Sequence, residues 1–153
     1  MKPACLERTQ FLPIPVETAW EFFSDPRNLP RITPPDLGFR ITSPVPQRMY
    51  AGMVVSYTVT PFGGLKVDWT TEITHVREPE FFVDEQRFGP YRFWHHQHLF
   101  KAVPGGTEMT DLVHYLLPLP PFGQLAAGFV RGRLERIFAF RHQELERMFG
   151  APS

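Results

Sequence analysis

At 153 residues, 42% of them hydrophobic and 14% aromatic, the chain carries enough apolar side chain for a sizeable core and too much for a disordered polymer. Sixteen basic residues balance sixteen acidic ones, which removes the positive field a phosphate-backbone binder relies on, so nucleic acid is excluded as the expected partner. A single cysteine, Cys5, excludes an internal disulfide and a cysteine-built metal site; with no apolar run near the ~20 residues of a membrane span and no leader, the sequence reads as one cytoplasmic domain over 1–153.

In chain order, residues 6–12 form a short extended run ended by Pro13 and Pro15. Pro15 suits the first turn of a short helix over 16–23, where Val16, Ala19, Trp20 and Phe23 recur at helical spacing. Asp25-Pro26 breaks it. One further turn is expected over 28–32, and Thr33-Pro34-Pro35 ends any helix there. Two short helices so placed would plug one end of a sheet.

Strands follow at 39–42, 53–60 and 65–76, the last two joined by Gly63-Gly64, then at 81–88. Gly89-Pro90 turns the chain into 92–103, and Pro104-Gly105-Gly106 returns it as 107–117. Along 65–76, Val67, Trp69, Thr71 and Ile73 share one face and are expected to point inward. Even spacing and tight turns predict an antiparallel meander. The chain closes on its one long helix, 123–149, started by Pro120-Pro121 and stopped by Gly150 and Pro152. Val130, Leu134, Ile137, Phe138, Leu145 and Met148 make its apolar stripe. At 1.5 Å per residue this helix is roughly 40 Å long. The expected architecture is α+β: a curved antiparallel sheet of six to seven strands around the C-terminal helix, with a cavity between them.

Candidate chemistry concentrates in Gly89 to Phe100, G-P-Y-R-F-W-H-H-Q-H-L-F. On a strand, Trp94, His96, His98 and Phe100 point one way. A two- or four-residue loop to the next strand puts Asp111 beside or diagonal to His98, together with Met109, Val113 and Tyr115; a three-residue loop would set His114 opposite His96. The even loop is preferred, because Val113 and Tyr115 are better core residues than Glu108 and Thr110. Asp111 would then be a buried carboxylate beside an imidazole: a structural pair, a polar anchor for a ligand, or an acid–base couple with His98. His96-x-His98 is an acceptable half of a zinc site, but the sequence names no third ligand, so neither metal nor cofactor is expected. Arg141 interrupts the helical stripe and must snorkel, pair with a carboxylate such as Asp84 or Glu85, or anchor a polar group of a ligand. Asp84 and Gln86 either add polar points to an apolar wall or form an outward edge. Trp69, Trp94 and Phe138 supply apolar lining. Gly128 and Gly132 fall away from the stripe, where a loop or a second copy in a homodimer could approach closely.

Four stretches carry a family resemblance: P-x-x-x-A-W-E-F-F-S-D-P-R-N-L from Pro15, the Gly89 stretch, G-G-T-E-M-T-D-L-V-H-Y from Gly105, and I-F-A-F-R-H from Ile137. Together they resemble the START-like, or SRPBCC, superfamily in its bacterial cyclase/dehydratase-like and ligand-binding branch. The resemblance implies the helix-grip fold and a deep pocket for a lipid, polyketide, sterol or similar small hydrophobic ligand. It transfers no catalytic residue, since this fold serves carriers, receptors and enzymes alike. Three functions follow for the test of structure: a carrier or sensor, a polyketide cyclase/dehydratase-type enzyme, and an interaction module with an incidental cavity.

Overall fold

The computed structural model describes residues 2–62, 64–118 and 122–153. The Gly63 half of the expected Gly63-Gly64 turn and the Pro120-Pro121 helix start lie outside the described residues.

Seven strands form one antiparallel sheet: β1 (Ala4–Leu12), β2 (Arg40–Ile41), β3 (Met53–Phe62), β4 (Leu65–Arg77), β5 (Phe81–Phe88), β6 (Phe93–Val103) and β7 (Gly106–Leu116). Their order is β1-β7-β6-β5-β4-β3-β2, so the first strand closes against the last and the rest is a meander. The described residues also include two α-helices, α1 (Val16–Phe23) and α2 (Phe122–Phe149). This is the helix-grip arrangement expected above. Among the described residues no helix is long and apolar enough to cross a membrane.

Local chemistry explains the segment after β1. Pro15 precedes α1, and Ala19, Trp20 and Phe23 are its buried positions. Asp25 then caps a 3-10 segment, Pro26–Ile32, by accepting a hydrogen bond from the Arg27 amide at 3.0 Å. The Asn28 side chain donates back to the Phe22 carbonyl at 2.9 Å and holds this segment to α1. A second 3-10 turn, Pro35–Leu37, sits where the sequence suggested only a break; Pro35 fits its first position, having no amide hydrogen to lose.

The β6–β7 turn decides the site. Val103 pairs with Gly106, so the loop is the two residues Pro104-Gly105, with Gly105 at φ +82°. The even register holds, and His98 stands directly opposite Asp111.

The interior divides in two. Near α1, Leu12, Trp20, Phe23, Phe82, Phe100 and Leu145 pack together, with Trp20 edge-on to both Phe82 and Phe100 at 5.8 Å. Toward the N-terminal half of α2, Trp69, Trp94, Val113, Tyr115, Leu134 and Phe138 form a second cluster. Arg141 falls on α2 between Phe138 of one cluster and Leu145 of the other, which is where the apolar stripe breaks. Among the described residues nothing lies within 4 Å of a Cβ placed on Gly128 or Gly132.

Candidate functional site

Strand pairing brings four ionisable residues together at that break, and α2 adds a fifth. Asp84 stands opposite His96 across β5 and β6, and Phe82 opposite His98. Period-two alternation then points Asp84, His96, His98 and Asp111 from one face of the sheet toward α2, where Arg141 meets them.

The contacts are short. His96 Nε2 lies 2.7 Å from Asp111 Oδ1, and His98 Nε2 lies 2.6 Å from Asp84 Oδ2. Arg141 Nη1 donates to Asp111 Oδ1 at 2.9 Å. The second nitrogen of each imidazole approaches the other carboxylate: His96 Nδ1 is 3.5 Å from Asp84 Oδ2, and His98 Nδ1 is 3.4 Å from Asp111 Oδ1. Each ring therefore spans both carboxylates, and the two rings lie 3.7 Å apart between centroids. Phe82 stacks on His98 at 4.0 Å, and the Arg141 guanidinium lies over the Phe138 ring at 5.4 Å. His98 Nδ1 is buried and lacks a hydrogen-bond partner among the described residues.

Electrostatics sorts the group. Burial works against the charge on Asp111, but Arg141 and the two imidazoles outweigh it and hold the carboxyl well below its ordinary value. Asp84 is likewise lowered against its burial by His96 and His98. Burial and the neighbouring His98 push His96 down, whereas Asp111 and Asp84 overcome burial and raise His98. Within the group the surroundings thus favour the charged form of His98 more than that of His96.

Beside this corner lies a cavity of about 200 Å³, lined by the sheet, the 3-10 segments and α2. Trp69, Asp84, Trp94, His96, His98, Phe138 and Arg141 all line it. Asp111 and Tyr115 do not. Asp111 lines a separate cleft of about 260 Å³ between β1 and α2, with Arg8, Gln10 and His142, and Tyr115 is packed in the second apolar cluster. Phe138 and Arg141 border both spaces, so the charged group is a partition between them.

Two expectations need revision. Arg141 pairs with Asp111, not with Asp84 or Glu85, because the strand opposite α2 at that height is β7. Gln86 is not a polar point in the wall; its amide holds the backbone of Tyr91 through bonds of 2.6 and 3.0 Å. The sequence placed Phe82 on the apolar wall in alternation with Asp84 but not against His98, on whose ring it stacks, and it did not point to the lining residues Leu29, Ile32 and Leu37 of the 3-10 segments. The stacking depends on the register of β5 on β6, and irregular segments offer no periodicity for the others.

The family model described as polyketide cyclase / dehydrase and lipid transport matches residues 12–139. No curated protein matches the sequence. Among solved structures, protein Ms6760 from Mycobacterium smegmatis is similar at 22% identity and a TM-score of 0.65, covering 94% of this chain and 89% of that one. Protein CV1439 from Chromobacterium violaceum is similar at 13% identity and a TM-score of 0.71, covering 97% and 98%. Ginseng major latex-like protein 151 from Panax ginseng is similar at 13% identity and a TM-score of 0.67, covering 97% and 99%. At such identities the likeness is one of fold.

Proposed function

The chain belongs to the polyketide cyclase / dehydrase and lipid transport family, and from that premise we propose that it binds a small, largely apolar molecule with a polar group at one end. The observation that carries this reading is the unequal lining of the cavity. Most of its wall is aromatic or aliphatic, including Phe39, Tyr57, Trp69, Trp94, Leu134 and Ile137, while the charged residues are gathered at Asp84, His96, His98 and Arg141. A wall of that kind takes up apolar surface without direction, and the few polar groups set orientation. Arg141 uses one of its five donors on Asp111, which leaves others for a carbonyl or carboxylate. Trp69 adds a second polar point, since its buried indole N–H has no partner among the described residues.

The enzyme reading, with His98 and Asp111 as an acid–base couple, has less support. Asp111 is turned to the outer cleft and tied to His96 and Arg141, so it does not meet a molecule in the cavity.

Native mass spectrometry of the freshly purified chain tests the binding reading. A small molecule that co-purifies, or stoichiometric uptake of the apolar fluorophore 1-anilinonaphthalene-8-sulfonate by the folded protein, is the expected result. Weaker uptake by Arg141→Ala and by Trp69→Phe should follow. Finding neither adduct nor dye binding on the native protein would end it.

A further inference from the structure

We propose that Asp84, His96 and His98 form a binding site for one divalent transition-metal cation, with Asp111 and Arg141 holding the two histidines from behind. The sequence offered His96-x-His98 as half of such a site and no third ligand. The fold supplies one, because β5 carries Asp84 to the position opposite His96. One donor atom from each of the three residues lies within 4.8 Å of the others. Two imidazole nitrogens and a carboxylate oxygen suit zinc, or iron and cobalt in the divalent state.

Proton bookkeeping makes the case. A neutral imidazole has one N–H and one lone pair. His96 uses Nε2 toward Asp111 at 2.7 Å, and as an acceptor-only carboxylate Asp111 requires the N–H there. The lone pair of His96 is then on Nδ1, and Nδ1 faces Asp84 Oδ2 at 3.5 Å. Two acceptors confront each other inside the protein with no donor between them, which buried polar groups ordinarily avoid. His98 has the complementary fault: Nδ1 is buried without a partner, 3.4 Å from Asp111.

A cation on Asp84 Oδ2, His96 Nδ1 and His98 Nε2 removes both faults together. It fills the gap between Asp84 and His96. It also displaces the proton that His98 Nε2 holds toward Asp84, which either leaves to solvent or moves within the ring, so that the remaining N–H of His98 is on Nδ1 and aimed at Asp111. Both ligating rings would then donate their remaining N–H to one carboxylate, the outer hydrogen bonding that metal-bound histidines commonly show. Arg141 neutralises and fixes that carboxylate. The contact between His98 and Asp84, 2.6 Å as a hydrogen bond, has to widen by roughly 0.8 Å, since tetrahedral ligands on bonds of about 2.1 Å stand about 3.4 Å apart. All three ligands line the cavity, so a cation there keeps a coordination position open to whatever the cavity holds. The site stands independently of the binding reading above, because its test uses the metal alone.

The test is titration of the chelator-stripped full chain with zinc by calorimetry, and with cobalt by visible absorption. One equivalent is expected. Asp84→Asn and His98→Gln should each lower affinity on the order of 100-fold or more, and Asp111→Asn by ~10–100-fold with stoichiometry kept. His95 and His114 form a neighbouring pair on the opposite face of the sheet, 6.4 Å apart between ring centroids, and the double variant His95→Gln/His114→Gln should bind as the wild type does. Nitrogen NMR of the wild type covers the case in which a variant fails to fold: zinc should move His96 Nδ1 and His98 Nε2. Absence of stoichiometric binding overturns the site. So does binding that survives Asp84→Asn and His98→Gln, or that is lost in the His95/His114 double variant.

Discussion

Arg141 is the residue on which the charged corner depends for stability. Its guanidinium compensates Asp111, and both side chains are almost fully withdrawn from water. Removing one member of such a pair strands the other, which costs about 3–5 kcal/mol; replacing both with apolar groups of similar volume is often close to neutral. Arg141→Ala should therefore lose stability in that range by urea denaturation with chelator present. Asp111→Asn/Arg141→Met, which removes both charges and keeps an acceptor for the His96 N–H, should recover most of it, and a double variant no better than the single would assign the loss to packing against Phe138. Acid gives a second reading of the same contact. Asp111 faces Arg141, His96 and His98, with Arg8 opposite on β1, and its carboxyl titrates lower in the folded chain than in the unfolded one. The unfolded chain thus takes up the proton first as the pH drops below about 4. In the chelator-stripped protein the contribution is complete above that pH and drains away as acid is added toward the folded value. Asp111→Asn should flatten that part of the melting-temperature profile, measured by differential scanning calorimetry.

At the scale of elements, glycines separate what the turns demand from what the helix tolerates. A Cβ on Gly106 would stand 2.1 Å from the Leu12 carbonyl oxygen, a backbone atom that β1 cannot withdraw without moving. Gly106→Ala should destabilise by about 1–3 kcal/mol and loosen the β1–β7 seam. Gly128→Ala and Gly132→Ala meet open space on α2 and should each stabilise by about 0.5–1 kcal/mol in thermal melts. A destabilising Gly128→Ala would mean that something covers this face in solution. These elements also show how far the sequence reached. Periodicity placed α1 and β5 at their observed ends and the other six strands close to theirs, because local alternation and Gly/Pro turns encode them. Loop parity gave the pairing of His98 with Asp111, since two residues suffice to turn β6 into β7. The opposite wall was harder to read. Asp84 reaches His96 through the register of β5 on β6, two strands joined by the longer connection 89–92 and paired only from Glu85 and His95 onward. Arg141 finds Asp111 only after α2 has docked, a contact 30 residues apart that no window of the sequence contains.

For the molecule as a whole, the cavity is an expense that asks for a reason. An unfilled space of about 200 Å³ forfeits at most about 5 kcal/mol of packing at ~24 cal/mol per Å³, the value for a closed, dry cavity, which is still a sizeable share of the 5–15 kcal/mol that domains ordinarily possess. A fold kept only for its shape would gain by filling that space, whereas a fold kept for a ligand recovers the loss when the ligand arrives. Val55 distinguishes the two. It is buried on β3 with its side chain on the cavity wall, so Val55→Phe adds volume where volume is missing. In the ligand-stripped protein the variant should melt higher than the wild type, by a few degrees for about 1 kcal/mol, and should take up less 1-anilinonaphthalene-8-sulfonate. Adding a ligand at 100 times its dissociation constant should stabilise the wild type by about 2.7 kcal/mol, and the variant by less. The opposite outcome, a lower melting temperature for stripped Val55→Phe with dye uptake unchanged, would show that the wall has no room beside Val55 and that any ligand sits elsewhere. Gained stability with lost uptake is the trade expected where a site is left open for use.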